Sequence, residues 1–174
     1  MNRLRLCGAL LLLCGVVASC SGEVRSVKTN GIEGVIVGEQ TAQGWGAKVT
    51  GAQGFWTPSP QDVAAAENQL RAALEKGVKD PATIMPGPFS ELSRKFSKEE
   101  IASVLEHYKE YRRQYIGVVI RGKRYVFLNS FSAHESMHEK ERFVLVMDGG
   151  YWFWHVLYSV EDGSFSALMV NGSA

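Results

Sequence analysis

Residues 134–138 read His-Glu-Ser-Met-His. Two imidazoles four positions apart stand on one side of an α-helix, where both can reach a single Zn²⁺. A glutamate beside the first histidine can then take a proton from a metal-bound water. The stretch names a chemistry: hydrolysis by a zinc-activated water, with His134 and His138 as ligands and Glu135 as base. That chemistry also needs a helix of several turns, a third ligand and groups that orient the imidazoles.

The surrounding residues supply at most a short helix. Residues 132–141 lie between two strand-like runs, with Ser132 as the available N-cap. The pattern resembles the signature of zinc proteases. In the branch with an extended motif, however, the position three after His138 is glycine and the position six after is histidine. Here they are Glu141 and Val144. Glu161 is at a workable separation for the other large branch, but it sits in an expected turn, Glu161-Asp162-Gly163. A chain of this length contains such a match by chance on the order of 0.5% of the time, so the five residues alone decide little. The stretch is read as a polar connector; no metal and no cofactor is expected, and a minimal zinc hydrolase is the alternative.

Other chemistry-bearing patterns are fainter. There is no Gly-x-Ser-x-Gly, and Gly44-Trp45-Gly46 has Val49 where a dinucleotide loop needs its third glycine. Arg112, Arg113, Arg121, Lys123 and Arg124 form a local basic cluster, expected as solvated strand ends. His155 lies in the aromatic run YWFWHVLY and is expected to be packed and hydrogen-bonded rather than catalytic. In that run Trp152, Trp154 and Tyr158 should share one face and Tyr151, Phe153 and Leu157 the other.

The N-terminus carries the most specific signal. Arg3 and Arg5 precede an apolar run from Leu6 to Val17, short for a membrane span and suited to a signal-peptide core. It closes in Val17-Ala18-Ser19-Cys20. This quartet resembles the lipobox of bacterial lipoproteins. The resemblance implies acylation of Cys20, which becomes the first mature residue and anchors the chain in the cell envelope. The residue after Cys20 is Ser21 rather than aspartate, which resembles the class sorted to the outer membrane, facing the periplasm, where a host has two membranes.

Composition narrows the rest. The net charge is +1, and two of the 19 basic residues, Arg3 and Arg5, lie within 1–19; the remaining 17 face 18 acidic ones. No basic excess is left to drive nucleic-acid binding. The three cysteines are Cys7, Cys14 and Cys20, so the mature domain has no disulfide and must be stable by packing. At 45% hydrophobic content the full sequence has enough apolar surface for one core.

These elements must be held by a scaffold. Residues 1–19 are read as signal peptide, 20–30 as lipidated N-terminus and tether, and 31–174 as one α+β domain. Within it, 31–55 form a Gly-rich arm with weak edge strands at Ile32 to Val37 and Ala47 to Thr50, and 56–174 the core. A first helix starts at Ser59 (N-cap), Pro60 and Asp62, carries Val63, Ala66, Leu70, Ala73 and Leu74 on one face, and ends at Gly77. A loop through Pro81, Pro86 and Pro88 bears Ile84, Met85, Phe89 and Leu92. It should pack on the domain, where it could roof a ligand groove. A second helix has Ser97 and Glu100 as a capping box, Phe96 and Ile101 as a staple, and Val104, Leu105, Tyr108 and Tyr111 or Arg112 at helical spacing.

From Gln114 the period becomes two. Tyr115–Ile120 and Arg124–Phe131 form a hairpin, followed by strands at Arg142–Met147, Tyr151–Val160 and Phe165–Val170. Two helices followed by an antiparallel meander of four to five strands make an α+β layer fold, cystatin-like or NTF2-like by analogy. The stretches WTPSP, YRRQYIGVV and MDGGYWFWHVLY also resemble, loosely, small uncharacterised bacterial envelope proteins. Together these readings point to a membrane-anchored, non-enzymatic domain that binds a protein, peptide or small apolar ligand, or to a purely structural lipoprotein.

Overall fold

The computed structural model describes residues 23–84, 97–134 and 136–172. The fold is α+β: one mixed sheet of seven strands carries helices on its faces. The strands are β1 (Val24–Thr29), β2 (Ile32–Val37), β3 (Gly54–Trp56), β4 (Tyr111–Ile120), β5 (Lys123–Ser132), β6 (Phe153–Ser159) and β7 (Ser164–Val170). The helices are α1 (Glu39–Gly44), α2 (Pro60–Lys79) and α3 (Lys98–Glu106). Sheet order is β1-β2-β4-β5-β6-β7. β2 runs parallel to β4, and every other pair is antiparallel.

The helix starts follow their capping chemistry. Ser59 Oγ accepts from the Asp62 amide at 3.2 Å, and Asp62 accepts from the Ser59 amide at 2.8 Å. Ser97 and Glu100 make the same reciprocal pair, at 3.2 and 2.9 Å. Each box satisfies two donors that the first helical turn would otherwise leave bare. Phe96, the expected staple residue, lies outside the described residues.

The helix ends differ from expectation. Gly77 does not terminate α2, which continues to Lys79. A Cβ on Gly77 would meet Ile84 Cγ2 at 2.8 Å, so this glycine lets the following turn fold back onto the helix. Ile84 is buried there, and its carbonyl accepts from the Leu168 amide of β7 at 3.2 Å. Met85, Pro86, Pro88, Phe89 and Leu92 of the expected loop lie outside the described residues. α3 stops at Glu106; Tyr108–Glu110 is a 3-10 turn, and Tyr111 and Arg112 already belong to β4.

The sheet has more strands than the side-chain period indicates. β1 occupies residues expected as tether, and β2 lies between β1 and β4 rather than at an edge. Ile32, Val35, Ile36 and Val37 of β2 are all buried. Gly34 is needed where it stands, because a Cβ would collide with the Arg113 carbonyl and the Tyr115 ring. Residues 47–49 are not a strand; the arm folds instead into α1 and β3. The hairpin of β4 and β5 turns through Arg121 and Gly122, both at positive φ (51° and 76°), as a two-residue type I′ turn requires.

Residues 142–147 do not form a ladder strand either. They cross the sheet as an extended strap tied down by side-chain amides. Gln114 donates to the carbonyls of Glu139 (2.9 Å) and Arg142 (2.6 Å) and accepts from the Val144 amide (3.0 Å). Asn129, directly opposite Gln114, donates to Val144 (2.7 Å), and Asn171 donates to Val146.

The core has two sides. α2 and α3 cover one face, where Val63, Leu70, Leu74, Ile101 and Val104 meet Tyr111, Tyr115, Leu128, Trp154 and Val156. α1, the 45–55 segment and the strap cover the other, over Val35, Ile116, Val118, Phe127 and Leu157. β6 is thus covered on both faces. Its face assignment is only partly the expected one. Trp154 and Tyr158 point to the helices, but Tyr151 and Trp152 lie in a 3-10 turn before the strand and pack on that same side.

Candidate functional site

The zinc-like stretch is not helical. Ala133 and His134 lie in a turn after β5, residues 136–138 are irregular, and His138 has φ 54°, a left-handed conformation. Glu135 lies outside the described residues. A chain in this shape does not project positions i and i+4 to one side, so the two imidazoles take separate partners. His138 Nδ1 is 3.4 Å from Glu141, and both side chains are more than half exposed. Glu161 sits in the turn after β6 and pairs with Arg124 at 3.3 Å. Among the described residues no group of three His, Cys, Asp or Glu side chains is placed to hold a metal ion.

His134 has a different neighbourhood. The strand pairing of β5 with β4 brings Ala133 back to the 3-10 turn before β4, where its amide donates to the Glu110 carbonyl at 2.7 Å. His134 Nε2 then lies 2.8 Å from Glu110 Oε2. The other oxygen of the same carboxylate lies 3.0 Å from His107 Nδ1. Glu110 is therefore shared by two imidazoles, and the His134 and His107 hydrogen bonds hold its pKa below the usual carboxylate value. Trp152 sits between the rings, 4.7 Å from His107 and 5.5 Å from His134, and Tyr151 stacks on His107 at 5.0 Å. The cluster is one carboxylate held between two imidazoles beside two aromatic rings. It contains no activated nucleophile.

The basic cluster read from the sequence is not one patch. Lys123 pairs with Asp162 at 3.1 Å, Arg124 with Glu161, and Arg112 with Glu139 at 2.8 Å. Arg113 is on the opposite face of β4 and fully buried. Its Nε stands 3.4 Å from Glu67 Oε1 of α2 and 3.2 Å from Ser130 Oγ. Glu67 also accepts from the hydroxyls of Tyr108 (3.1 Å) and Tyr115 (3.0 Å). The Arg113 guanidinium lies over the rings of Tyr108 and Trp154, at 4.9 and 5.3 Å. Desolvation pushes both hydroxyls above the ordinary tyrosine range, and the Glu67 charge adds to that push. An ion pair this deep in a helix–sheet interface is a packing element, closed to any substrate.

This buried group was not anticipated, although the signals were present. Glu67 falls on the apolar stripe of α2 between Val63 and Leu70, and Arg113 alternates with the inward Tyr111 and Tyr115. His155 likewise packs rather than bonds. It lies 4.9 Å from Phe127, forms no hydrogen bond among the described residues, and burial pushes its pKa down to about 4.

Two concavities are lined by described residues. A recess of about 60 Å³ lies under the strap, lined by Phe127, Asn129, Phe143, His155 and Asn171 among others. A wider open groove of about 400 Å³ runs between β1, β2 and the strap. Ser26, Lys28, Glu33, Arg112, Glu139 and Lys140 line it, so both charge signs and several hydrogen-bonding groups face the same opening. Two apolar side chains of the strap, Leu145 and Met147, are exposed at 57% and 79%. No family model, no curated protein and no solved structure matches this chain.

Proposed function

We propose that the chain is a membrane-anchored lipoprotein of the bacterial envelope, with a non-enzymatic domain that binds a protein or peptide partner. The observation that carries the anchor is the sequence Val17-Ala18-Ser19-Cys20, placed after a basic start and an apolar run. The binding reading is supported by the groove beside β1 and β2. Its Lys28, Glu33, Arg112, Glu139 and Lys140 offer donors and acceptors of both signs, which suits a peptide or protein surface better than an apolar ligand. The exposed Leu145 and Met147 on the adjoining strap offer apolar contacts. The cystatin-like or NTF2-like reading is a likeness of layer order, in which a helix pair precedes the antiparallel run from β4 to β7. It brings no activity with it.

The anchor is tested in a bacterial host by palmitate labelling and membrane fractionation of the parent and Cys20→Ser. Label in the parent and none in the variant, with the variant unprocessed or released from membranes, is the expected result. Identical fractionation of both, with no label, rules the anchor out. The partner is sought by cross-linking in intact cells followed by detergent solubilisation. The expected adduct weakens when Lys28 and Lys140 are both changed to glutamate.

A further inference from the structure

We propose that the sheet edge at β3 and the N-terminal end of β1 lies against the lipid headgroup layer, with β7 on the side away from the membrane. This rests on the lipid anchor at Cys20. The inference comes from how little chain separates that cysteine from the fold. The Glu23 carbonyl already accepts from the Gly38 amide at 2.9 Å, and Val24 is paired with Val37. Three peptide units join Cys20 to Glu23, and fully extended they span at most about 11 Å. The headgroup layer itself is roughly 5–7 Å deep. A domain tethered so closely has no room to stand off the surface, and the part of it nearest Glu23 must meet the lipid.

The topology identifies that part. β2 reaches Ile116 of β4 with Val37, and β3 takes over the same side of β4 from Gly117 with Trp56. Glu23 stands at this junction. The chain leaves β2 through Gly38 into α1, and the Glu39 amide donates to Thr57 Oγ, just past β3, at 2.9 Å. The outer side of β3 has no strand partner among the described residues. Gln40, Gln53 and Thr57 are exposed around it. Trp56 is half-buried behind them, with the Arg124 guanidinium 5.1 Å from its ring. Bare peptide groups, amide side chains and a Trp–Arg pair are suited to the polar interfacial layer, not to the hydrocarbon below it. β7 is four strand spacings from β3, roughly 19 Å.

The mature chain has no cysteine besides Cys20, so single-cysteine variants report one site each. Full-length lipidated protein carrying Gln40→Cys, Gln53→Cys or Ser164→Cys is labelled with a fluorophore and reconstituted into phosphatidylethanolamine–phosphatidylglycerol vesicles containing headgroup spin-labelled lipid. Flotation is measured first. A chain that does not float removes the anchor, and this inference falls with it. For a chain that floats, the expected result is several-fold quenching at positions 40 and 53 and little at 164, on β7. Unquenched labels at both 40 and 53, or equal quenching at all three, overturn the orientation while leaving the anchor intact.

Discussion

Arg113 of β4 and Glu67 of α2 form an ion pair with both side chains completely removed from solvent, Nε to Oε1 at 3.4 Å. The pair joins the longest helix to the middle of the sheet, and two tyrosine hydroxyls complete the shell of the carboxylate. Burying two charges is costly, and the cost is offset only while both are present. Glu67→Ala is therefore expected to destabilise the domain by roughly 3–5 kcal/mol, by leaving the guanidinium unpaired. The double change Glu67→Leu, Arg113→Met removes both charges and is expected to be markedly less harmful than the single one. Urea unfolding midpoints of the three proteins check this; a double variant as unstable as Glu67→Ala contradicts it.

Tyr108, Tyr111 and Tyr115 surround that pair, and burial raises the pKa of all three. A raised folded-state pKa means that the folded chain keeps its proton where the unfolded chain has lost it. The stabilising contribution is complete below the ordinary value of 10.0 and declines as pH rises above it. Absorbance at the tyrosinate band should show three of the six tyrosines ionising only with unfolding. Six simultaneous, reversible ionisations in the folded protein would show that the hydroxyls are accessible.

How much of this was legible in advance depends on which force shaped each part. Capping chemistry is local, so Ser59 and Ser97 announced α2 and α3 from within four residues. The apolar and aromatic runs of β4 to β7 are also local signals, because a strand covered on both faces is apolar at nearly every position. β1 is different: it pairs along β2 with an exposed, polar outer side and shows no such run. The strap fails in the opposite direction. Residues 142–147 are an apolar run that reads like a strand, but Gln114, Asn129 and Asn171 supply its hydrogen bonds in place of a ladder. His134 meets Glu110 only through the register of the β4–β5 hairpin, a long-range fact that five consecutive residues cannot contain.

The strap should come loose on its own. Gln114 is buried and uses its amide on Glu139, Arg142, Val144 and Asn129. Each such bond contributes about 1 kcal/mol net, and an unpaired buried group costs about 1–3 kcal/mol. Gln114→Met is expected to speed hydrogen exchange at the Val144 amide while the β4–β5 ladder stays protected. Unchanged protection at Val144 would mean that packing of Phe143, not the amide, holds the strap.

Trp154 and Ser97 give a contrast between core and cap. Trp154 is buried and meets Tyr111 edge-on at 5.5 Å. Trp154→Ala should cost roughly 3–5 kcal/mol, against about 1 kcal/mol for Ser97→Ala. Chemical denaturation of both variants decides it; equal, small effects would remove Trp154 from its central place in the packing.

Glu110 is the last test, because it explains what the first histidine of the zinc-like stretch does here. The carboxylate accepts from His134 at 2.8 Å and from His107 at 3.0 Å, and these bonds, His134 first, lower its pKa from the ordinary 4.5. A depressed carboxylate pKa contributes stability that is present above the ordinary value and lost as pH falls through the folded-state value. The exposed setting keeps that contribution small. A carboxyl-carbon NMR titration should place Glu110 below the common glutamate range. His134→Ala should move it upward more than His107→Ala does, while His138→Ala leaves it in place, since His138 faces Glu141 instead. Adding Zn²⁺ to the parent should leave the thermal midpoint unchanged, because no third ligand joins His134 and His138 among the described residues. A rise in that midpoint abolished by His138→Ala would show that both imidazoles reach one ion after all.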